Sequence, residues 1–213
     1  MRQNLEPHLP VVRQELSQIR MIRSHLHKFV VFFFVSLITF AQKPCEFDFE
    51  VKNDSIDFRE TKKHLIYERE FGKKSNYAFV SLLNDAGYVV LNYQRVQKSD
   101  SFIETECFDK NTRMYLQLTN GKIYTLIHSD SGVCSTKIPD LESKSNIRML
   151  NTSFFFMKDD FEDLKKFPVA ILQIRFATGE KTSYVMEKEL ISKNLGVTSN
   201  PEKIFIDYFH CIE

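Results

Sequence analysis

Apolar and polar residues alternate along much of the chain beyond residue 42, and a period of two residues indicates β-strands. Residues 47–51 alternate between apolar and charged side chains and predict a first strand. Residues 77–83 and 88–96 flank the sequence NDAG at 84–87, whose residue types favour the turn of a β-hairpin. Further strand regions are predicted at residues 56–71, 147–157, 169–176 and 184–186.

A second hairpin is predicted around Asn120-Gly121, which separates two alternating runs, residues 113–118 and 123–128. Asn-Gly favours a type I′ turn, because both central residues of that turn have positive φ. Paired residue numbers should then add up to 241. The predicted inner pairs are Leu118 with Ile123, Leu116 with Thr125 and Met114 with Ile127, and the predicted outer pairs are Gln117 with Tyr124 and Arg113 with His128.

Two helices are predicted in the second half of the chain. Asp159 and Glu162 resemble a capping box that opens a short helix at residues 161–167. A second helix begins at Pro201, a residue that suits the first helical position, and carries one apolar stripe. The stripe consists of Ile204, Phe205, Tyr208, Phe209 and Ile212. The sequence therefore predicts a mainly β protein: an antiparallel sandwich or open barrel with two or three peripheral helices, including a C-terminal helix.

An apolar run at residues 29–40 follows the basic residues Arg20, Arg23 and Lys28 and precedes Ala41, in the order of a secretory signal peptide. It is shorter than the roughly 20 residues that cross a bilayer. Residues 1–41 are therefore predicted to be a signal peptide, within which residues 1–20 fit an over-extended start before Met21. An uncleaved N-terminal anchor is the alternative.

Residues 42–213 are predicted to form one secreted or periplasmic β-rich domain, without repeats or a linker that would divide it. Residues 1–41 contain five of the 29 Lys and Arg and two of the 28 Asp and Glu, so 24 basic and 26 acidic residues remain. The resulting formal charge of −2 argues against nucleic acid or an anionic membrane surface as a partner. After cleavage no stable membrane span is expected.

All four cysteines, Cys45, Cys107, Cys134 and Cys211, follow residue 41, and an even number in an exported chain predicts two disulfides. Buried free thiols are the alternative. The numbers of Cys107 and Cys134 also add up to 241, so the hairpin register predicts this pair, and Cys45 then pairs with Cys211 by elimination. No CxxC motif is present and residues 42–213 contain three histidines, so neither a zinc site nor a cofactor is expected.

The sequence gives only weak signals for a catalytic, metal or ligand site. The sequence has no nucleophile elbow, zinc-protease motif, phosphate-binding loop or EF-hand. The cluster His128-Ser129-Asp130-Ser131 contains the residue types of a triad but is interpreted as a polar loop, because triad members converge from separate elements. Acidic groups at residues 159–163, 109–111 and 54–57 are interpreted as helix-start and turn residues. A sugar or peptide platform could be formed by Tyr77, Tyr88, Tyr93, Tyr115 and Tyr124. The favoured interpretation is that Phe fills the core and Tyr lies at its edge with the hydroxyl in water.

Three segments resemble small uncharacterised secreted proteins of the Bacteroidota: the FAQ at residues 40–42, ECFDKNTRMYLQLTNGKIYTLIH at residues 106–128, and IDYFHCIE at residues 206–213. The resemblance implies export and a shared fold, and it carries no activity to this chain. The sequence thus predicts a non-catalytic secreted or periplasmic binding or structural module, with a protein or glycan as a possible ligand. An envelope or extracellular hydrolase with dispersed catalytic residues is the alternative, and no catalytic residue is assigned.

Overall fold

The fold is known from a computed structural model that describes residues 43–53, 56–129, 132–140, 145–158 and 160–213. The predicted signal peptide, residues 1–41, lies outside the described residues. In the described ranges the chain forms fifteen strands and one short α-helix. The strands are β1 (Phe47–Lys52), β2 (Asp57–Thr61), β3 (His64–Phe71), β4 (Lys74–Asp85), β5 (Tyr88–Ser99), β6 (Cys107–Asp109), β7 (Arg113–Leu118), β8 (Ile123–His128), β9 (Gly132–Cys134), β10 (Thr136–Asp140), β11 (Ser145–Phe156), β12 (Val169–Arg175), β13 (Lys181–Val185), β14 (Leu190–Ser192) and β15 (Val197–Ser199).

Eleven of the described strands form one antiparallel sheet in the order β1-β2-β4-β5-β11-β8-β7-β12-β13, with β3 also pairing with β4 and β10 with β11. Among the described residues β1 and β13 do not pair with each other, so the sheet is open rather than a closed barrel. Tyr184 of β13 lies against Tyr67 of β3, with ring centroids 5.0 Å apart, and its hydroxyl meets that of Tyr93 of β5 at 2.7 Å. Strand β13 therefore faces β3 and β5 across one core. The prediction of a mainly β, antiparallel fold is confirmed.

The core lies between the two halves of this sheet and is closed by the C-terminal helix, α1 (Ile204–Tyr208), which is flanked by 3₁₀ turns at Pro201–Lys203 and Phe209–Cys211. Alternate residues of the long strands point into it, as a half-buried strand requires. Four residues of the predicted C-terminal stripe are fully buried, and Tyr208 is partly buried. The stripe thus has the packing role that its spacing predicts.

The predicted register of the Asn120-Gly121 hairpin is wrong by one residue. Met114 pairs with Leu126 and Leu116 with Tyr124, so paired numbers add up to 240. Gly121 has positive φ but Asn120 does not, and Leu118 bonds across the loop to Lys122, which makes a three-residue loop. A slip of one residue moves each side chain to the other face. Tyr124, Leu126 and His128 consequently face the core, whereas Ile123, Thr125 and Ile127 face outward.

Two further local predictions differ from the structure. Residues 162–166 form a series of turns instead of a helix, because Pro168 leaves too few residues for a stable helix. The buried side chain of Leu164 anchors these turns in the core. The strand predicted at residues 147–157 begins two residues earlier, as β11, and pairs with β10, which was not predicted and includes Pro139 and Asp140. Pro139 is compatible with β10 because that strand lies at the edge and pairs with β11 alone. The small β14–β15 hairpin was not predicted.

Both predicted disulfides are present: Cys107–Cys134 and Cys45–Cys211. Cys107 pairs with Cys134 in a separate two-stranded sheet of β6 and β9. Their numbers add up to 241 although the hairpin below them has a sum of 240. Five positions separate Ile127 from Gly132, but four separate Asp109 from Arg113. The extra residue between β8 and β9 raises the sum from 240 in the hairpin to 241 at the cysteines, which is the value that the sequence predicted.

Candidate functional site

A hollow of about 260 Å³ lies on the outer face of β4, β5 and β11 and is called here the polar hollow. It is lined mostly by side chains that the strand alternation directs away from the core. Val80 and Leu82 of β4 point inward, whereas Phe79 and Ser81 between and beside them point outward. The outward residues of the hollow are Phe79, Ser81, Asn92, Gln94, Asn151 and Ser153, and Glu60 and Lys63 from the end of β2 border them.

The strand register arranges these side chains in two rows across the sheet. Ser81 pairs with Asn92, which pairs with Ser153 on its other side. In the next outward row Phe79 pairs with Gln94, and Gln94 with Asn151. Side chains directly opposite on one face lie about 5 Å apart, close enough to bond to one another. The register thus explains why amide and hydroxyl groups from three strands meet in one place.

The first row forms a hydrogen-bonded network anchored on the carboxylate of Glu60. Glu60 Oε1 accepts bonds from the Ser81 hydroxyl at 2.7 Å and from the Asn92 amide at 2.8 Å. Asn92 Oδ1 accepts a bond from the Ser153 hydroxyl at 2.5 Å. Ser81 is 1% exposed, so its hydroxyl depends on Glu60 for a partner. These bonds hold the side chains in fixed positions before any ligand arrives.

The hollow also contains hydrogen-bonding groups with unused capacity. In the second row Gln94 donates to Asn151 Oδ1 at 2.7 Å, which leaves Gln94 Oε1 and Asn151 Nδ2 without a partner among the described residues. Glu60 Oε2 and the Lys63 ammonium are likewise unpaired within the described ranges. Two acceptors and two donors therefore remain for a ligand, and the charges of Glu60 and Lys63 balance.

An aromatic pair borders the hollow. Phe79 lines it and is partly buried, and its ring lies 6.4 Å from that of Tyr77, two residues before it on the same face. The five tyrosines considered as a platform do not lie together, so the alternative of one tyrosine platform does not apply. Tyr93 and Tyr124 are 1% and 5% exposed in the core, and Tyr115 lies on the outer face of β7, on a different part of the sheet.

A second outer face is formed by β7, β8, β12 and β13 and surrounds a shallow depression of about 300 Å³. Its three rows are Ile123-Gln117-Ile171-Val185, Thr125-Tyr115-Gln173-Ser183 and Ile127-Arg113-Arg175-Lys181. Among the described residues one side-chain hydrogen bond joins two members of a row, from Gln173 to Ser183 at 3.0 Å. None of the three basic side chains contacts a carboxylate in the part of the chain that is described.

A further cavity, of about 850 Å³ and called here the mouth cavity, opens between β5, residues 103–109 and residues 176–182. Arg95 holds the Glu106 carboxylate there through two bonds of 2.8 Å, beside the bonded hydroxyls of Tyr93 and Tyr184. Burial raises the pKa of both tyrosines. Burial opposes the charge of Arg95, but the neighbouring tyrosines and Glu106 outweigh it and raise its pKa. At neutral pH the two tyrosines and Arg95 stay protonated, which suits a structural polar cluster better than a base or nucleophile.

The other candidate residues from the sequence that are described take part in packing, turns or ion pairs. His128 is 6% exposed, its Nε2 contacts the Thr152 hydroxyl at 2.5 Å, and its ring lies against Phe108 and Phe154. Asp130 and Ser131 lie outside the described residues. Asp109 accepts three bonds from Asn111 and Thr112, as a turn residue does. Asp160 and Asp163 both contact the ammonium of Lys122, Asp57 contacts Arg59, and Asp159 and Asp54 are not among the described residues.

One group of three potential metal ligands occurs in the described part of the chain: Cys45, His210 and Cys211. His210 Nε2 lies 3.4 Å from Cys45 Sγ and 3.5 Å from Cys211 Sγ, and the two sulfurs are bonded to each other. His64 lies nearby on β3, stacked on Tyr208 at 4.1 Å. Burial, followed by the charge of Lys43, lowers the pKa of His64 to about 4.

The chain matches no protein-family model, and neither curated proteins nor solved structures give a significant match. Across the described residues no helix has the length and apolar character needed to cross a membrane. The sequence did not predict the polar hollow. The sequence pattern that could have indicated it is the pair of outward polar residues, Ser81 and Asn92, in two alternating runs. Their neighbour Ser153 is 61 positions from Asn92, and only the pairing of β5 with β11 brings it into the hollow.

Proposed function

We propose that the protein is a non-catalytic secreted or periplasmic binding module that binds a neutral glycan in the polar hollow. The observation that carries this proposal is the network of Glu60, Ser81, Asn92 and Ser153, which fixes polar side chains in a concave site before a ligand is present. A site whose side chains are already held in place loses little conformational entropy on binding.

The chemistry of the hollow favours a ligand with many hydroxyl groups. Each hydroxyl donates one hydrogen bond and accepts others, and the hollow offers both acceptors and donors: Glu60 Oε2, Gln94 Oε1, Asn151 Nδ2 and Lys63 Nζ. A balanced pair of charges gives no preference for an anion or a cation. Phe79 adds an apolar surface at the border, against which the C–H face of a sugar ring can lie.

Two observations support a location outside the cytoplasm. Both disulfides involve cysteines that follow the predicted signal peptide, and all four cysteines are paired. Stable disulfides are typical of oxidising compartments. The basic-then-apolar order of residues 20–41 supports export, and the proposal is that cleavage after Ala41 releases the domain.

The binding proposal is tested by screening the purified protein against a panel of neutral and acidic oligosaccharides, followed by titration calorimetry with each hit. The variant Gln94→Ala should weaken binding at least 10-fold, because it removes a ligand contact and the bond to Asn151. Gln173→Ala is the matched control: it removes the same side chain from the second outer face and should leave the affinity unchanged.

The hydrolase alternative gives a different outcome in the same screen. Incubation with each bound oligosaccharide should return it intact, because the described residues of the hollow contain one carboxylate, Glu60, and glycoside hydrolysis generally uses two. Cleavage products that disappear in Glu60→Gln would replace the binding proposal by catalysis. Hits that bind Gln94→Ala and Gln173→Ala equally well would remove the hollow as the site.

A further inference from the structure

We propose that Cys45, Cys211 and His210 form a metal site when their disulfide is reduced, and that the reduced protein binds one Zn²⁺ through two thiolates and one imidazole. This inference is independent of the glycan proposal. In the oxidised protein the two sulfurs are bonded to each other and the imidazole of His210 contacts both of them.

The distances already match two edges of a zinc tetrahedron. Zinc binds thiolate sulfur at about 2.3 Å and imidazole nitrogen at about 2.0–2.1 Å, which places a sulfur and a nitrogen ligand about 3.5 Å apart at a tetrahedral angle. His210 Nε2 lies 3.4 Å and 3.5 Å from the two sulfurs. Two thiolate ligands lie about 3.8 Å apart by the same geometry, so opening the S–S bond is the one adjustment that these three ligands need.

Contacts other than the disulfide hold Cys45 near Cys211. Lys43, two residues before Cys45, bonds Asp207 at 2.7 Å and Asn200 at 3.1 Å, and both partners belong to the C-terminal segment. On the other side of Cys45, the carbonyl of Glu46 accepts a bond from the backbone of Lys62 at 2.9 Å. Reduction therefore leaves the two thiols close together, which lowers the entropy cost of assembling the site.

The imidazole and the disulfide are both accessible to this chemistry. Cys45 is exposed, so a reductant can reach its sulfur, whereas Cys211 is buried and His210 partly buried. Among the described residues His210 Nδ1 is buried without a hydrogen-bond partner, and Nε2 contacts sulfur alone. The proton can then reside on Nδ1, and the lone pair of Nε2 points toward the metal position.

The reaction has two balanced steps. A dithiol reductant transfers two electrons and two protons to the Cys45–Cys211 disulfide, giving two thiols and leaving the reductant as a disulfide. Zn²⁺ then displaces the two thiol protons to solvent and binds both thiolates and neutral Nε2, with the fourth position open to water. The Cys107–Cys134 pair serves as an internal comparison, because within the described ranges no third ligand accompanies it.

Cobalt(II) is the probe of choice, since thiolate-bound cobalt absorbs in the near ultraviolet and visible and zinc does not. The variant Cys107→Ser/Cys134→Ser, reduced with a phosphine, should bind one Co²⁺ with thiolate-to-cobalt absorption, and Zn²⁺ should displace it. The oxidised protein should show no such band. His210→Ala in the same background should lower the Zn²⁺ affinity at least 10-fold in competition with a chelator.

Two outcomes would overturn the proposal. One is a reduced protein that shows no thiolate-to-cobalt band. The other is a band of equal strength and affinity in His210→Ala, which would mean that two free thiols bind the metal without the imidazole. If the Cys107→Ser/Cys134→Ser variant fails to fold, the reciprocal Cys45→Ser/Cys211→Ser variant decides the question, because on reduction it must lack the band that the unaltered chain shows.

Discussion

The outer face of β4, β5 and β11 and the outer face of β7, β8, β12 and β13 both consist of alternating strands over one core, yet their side chains are organised differently. On the first, Asn92 donates to Glu60 and accepts from Ser153, so one network joins β2, β5 and β11. On the second, one bond joins Gln173 to Ser183, Val185 is 71% exposed, and three cations form a row without a carboxylate.

The difference shows that alternation alone does not make a binding site. Alternation determines which residues face outward on both surfaces. Fixed geometry arises only where the strand register brings complementary groups opposite one another, as it does for Ser81, Asn92 and Ser153. A polar side chain without such a neighbour stays solvated and adaptable, and ordering it on binding costs conformational entropy.

The two disulfides close loops of very different length, and removing them should give the largest change in stability. Cys45–Cys211 spans 166 residues and joins the segment before β1 to the C-terminal segment, whereas Cys107–Cys134 spans 27 residues next to β7 and β8. Chain entropy predicts a loss of about 5 kcal/mol for Cys45→Ser/Cys211→Ser and about 3.6 kcal/mol for Cys107→Ser/Cys134→Ser. Urea unfolding of the two variants measures both values, and a larger loss for the shorter loop would reverse the expected order.

Acid should destabilise the protein through His64, which lies on β3 and stacks on Tyr208. Its lowered folded-state pKa of about 4, against 6.5 for an ordinary histidine, means that the unfolded chain binds more protons between these values. Its contribution is complete above pH 6.5 and is lost as the pH falls toward 4, by about 3 kcal/mol. Unfolding free energies measured from pH 7 to 4 should show this slope, and His64→Gln should flatten it; an unchanged slope would contradict the burial of a neutral imidazole.

Removing the centre of the polar network should cost more than removing a matched side chain on the second face. Asn92→Ala leaves Ser153 without its acceptor and Glu60 with one donor fewer, so we expect a loss of about 1–2 kcal/mol. Gln173→Ala, whose single bond is exposed, should change stability by less than about 0.5 kcal/mol. Equal losses in denaturant unfolding would remove the distinction between the two faces.

The smallest effect is expected in the basic row of the second face. Arg175→Ala removes an exposed cation that contacts no carboxylate among the described residues, and stability should stay within about 0.5 kcal/mol of the unaltered protein. Affinity for a neutral glycan should also be unchanged, at low salt and at high salt. A salt-dependent affinity that Arg175→Ala abolishes would shift the binding site to the second face.

Sequence patterns predicted those parts of the fold that depend on local chemistry. The β4–β5 hairpin followed from its turn, in which Ala86 and Gly87 both have positive φ, and the C-terminal helix followed from its apolar stripe. Register was harder to predict, because Asn120-Gly121 is compatible with both a two-residue and a three-residue loop. That single ambiguity placed His128 on the outer face, although it lies in the core.

The candidate sites could not be predicted because they depend on contacts between distant segments. Asn92 and Ser153 are 61 positions apart, and Cys45 and His210 are 165 apart. The cysteine pairing itself was predicted, but the histidine beside it was not, since elimination identifies partners and says nothing about neighbours. The lack of a CxxC motif and the count of three histidines gave no indication that His210 lies beside the Cys45–Cys211 pair.

The most direct test of the account is an NMR titration of the isotope-labelled protein with an oligosaccharide identified in the screen. The glycan proposal predicts that the largest backbone amide shifts cluster at Ser81, Asn92, Gln94, Asn151 and Ser153 around the hollow, while Tyr115 and Gln173 on the second face stay unchanged. Shifts centred on Tyr115 and Gln173, or on Arg95 and Glu106 at the mouth cavity, would contradict it.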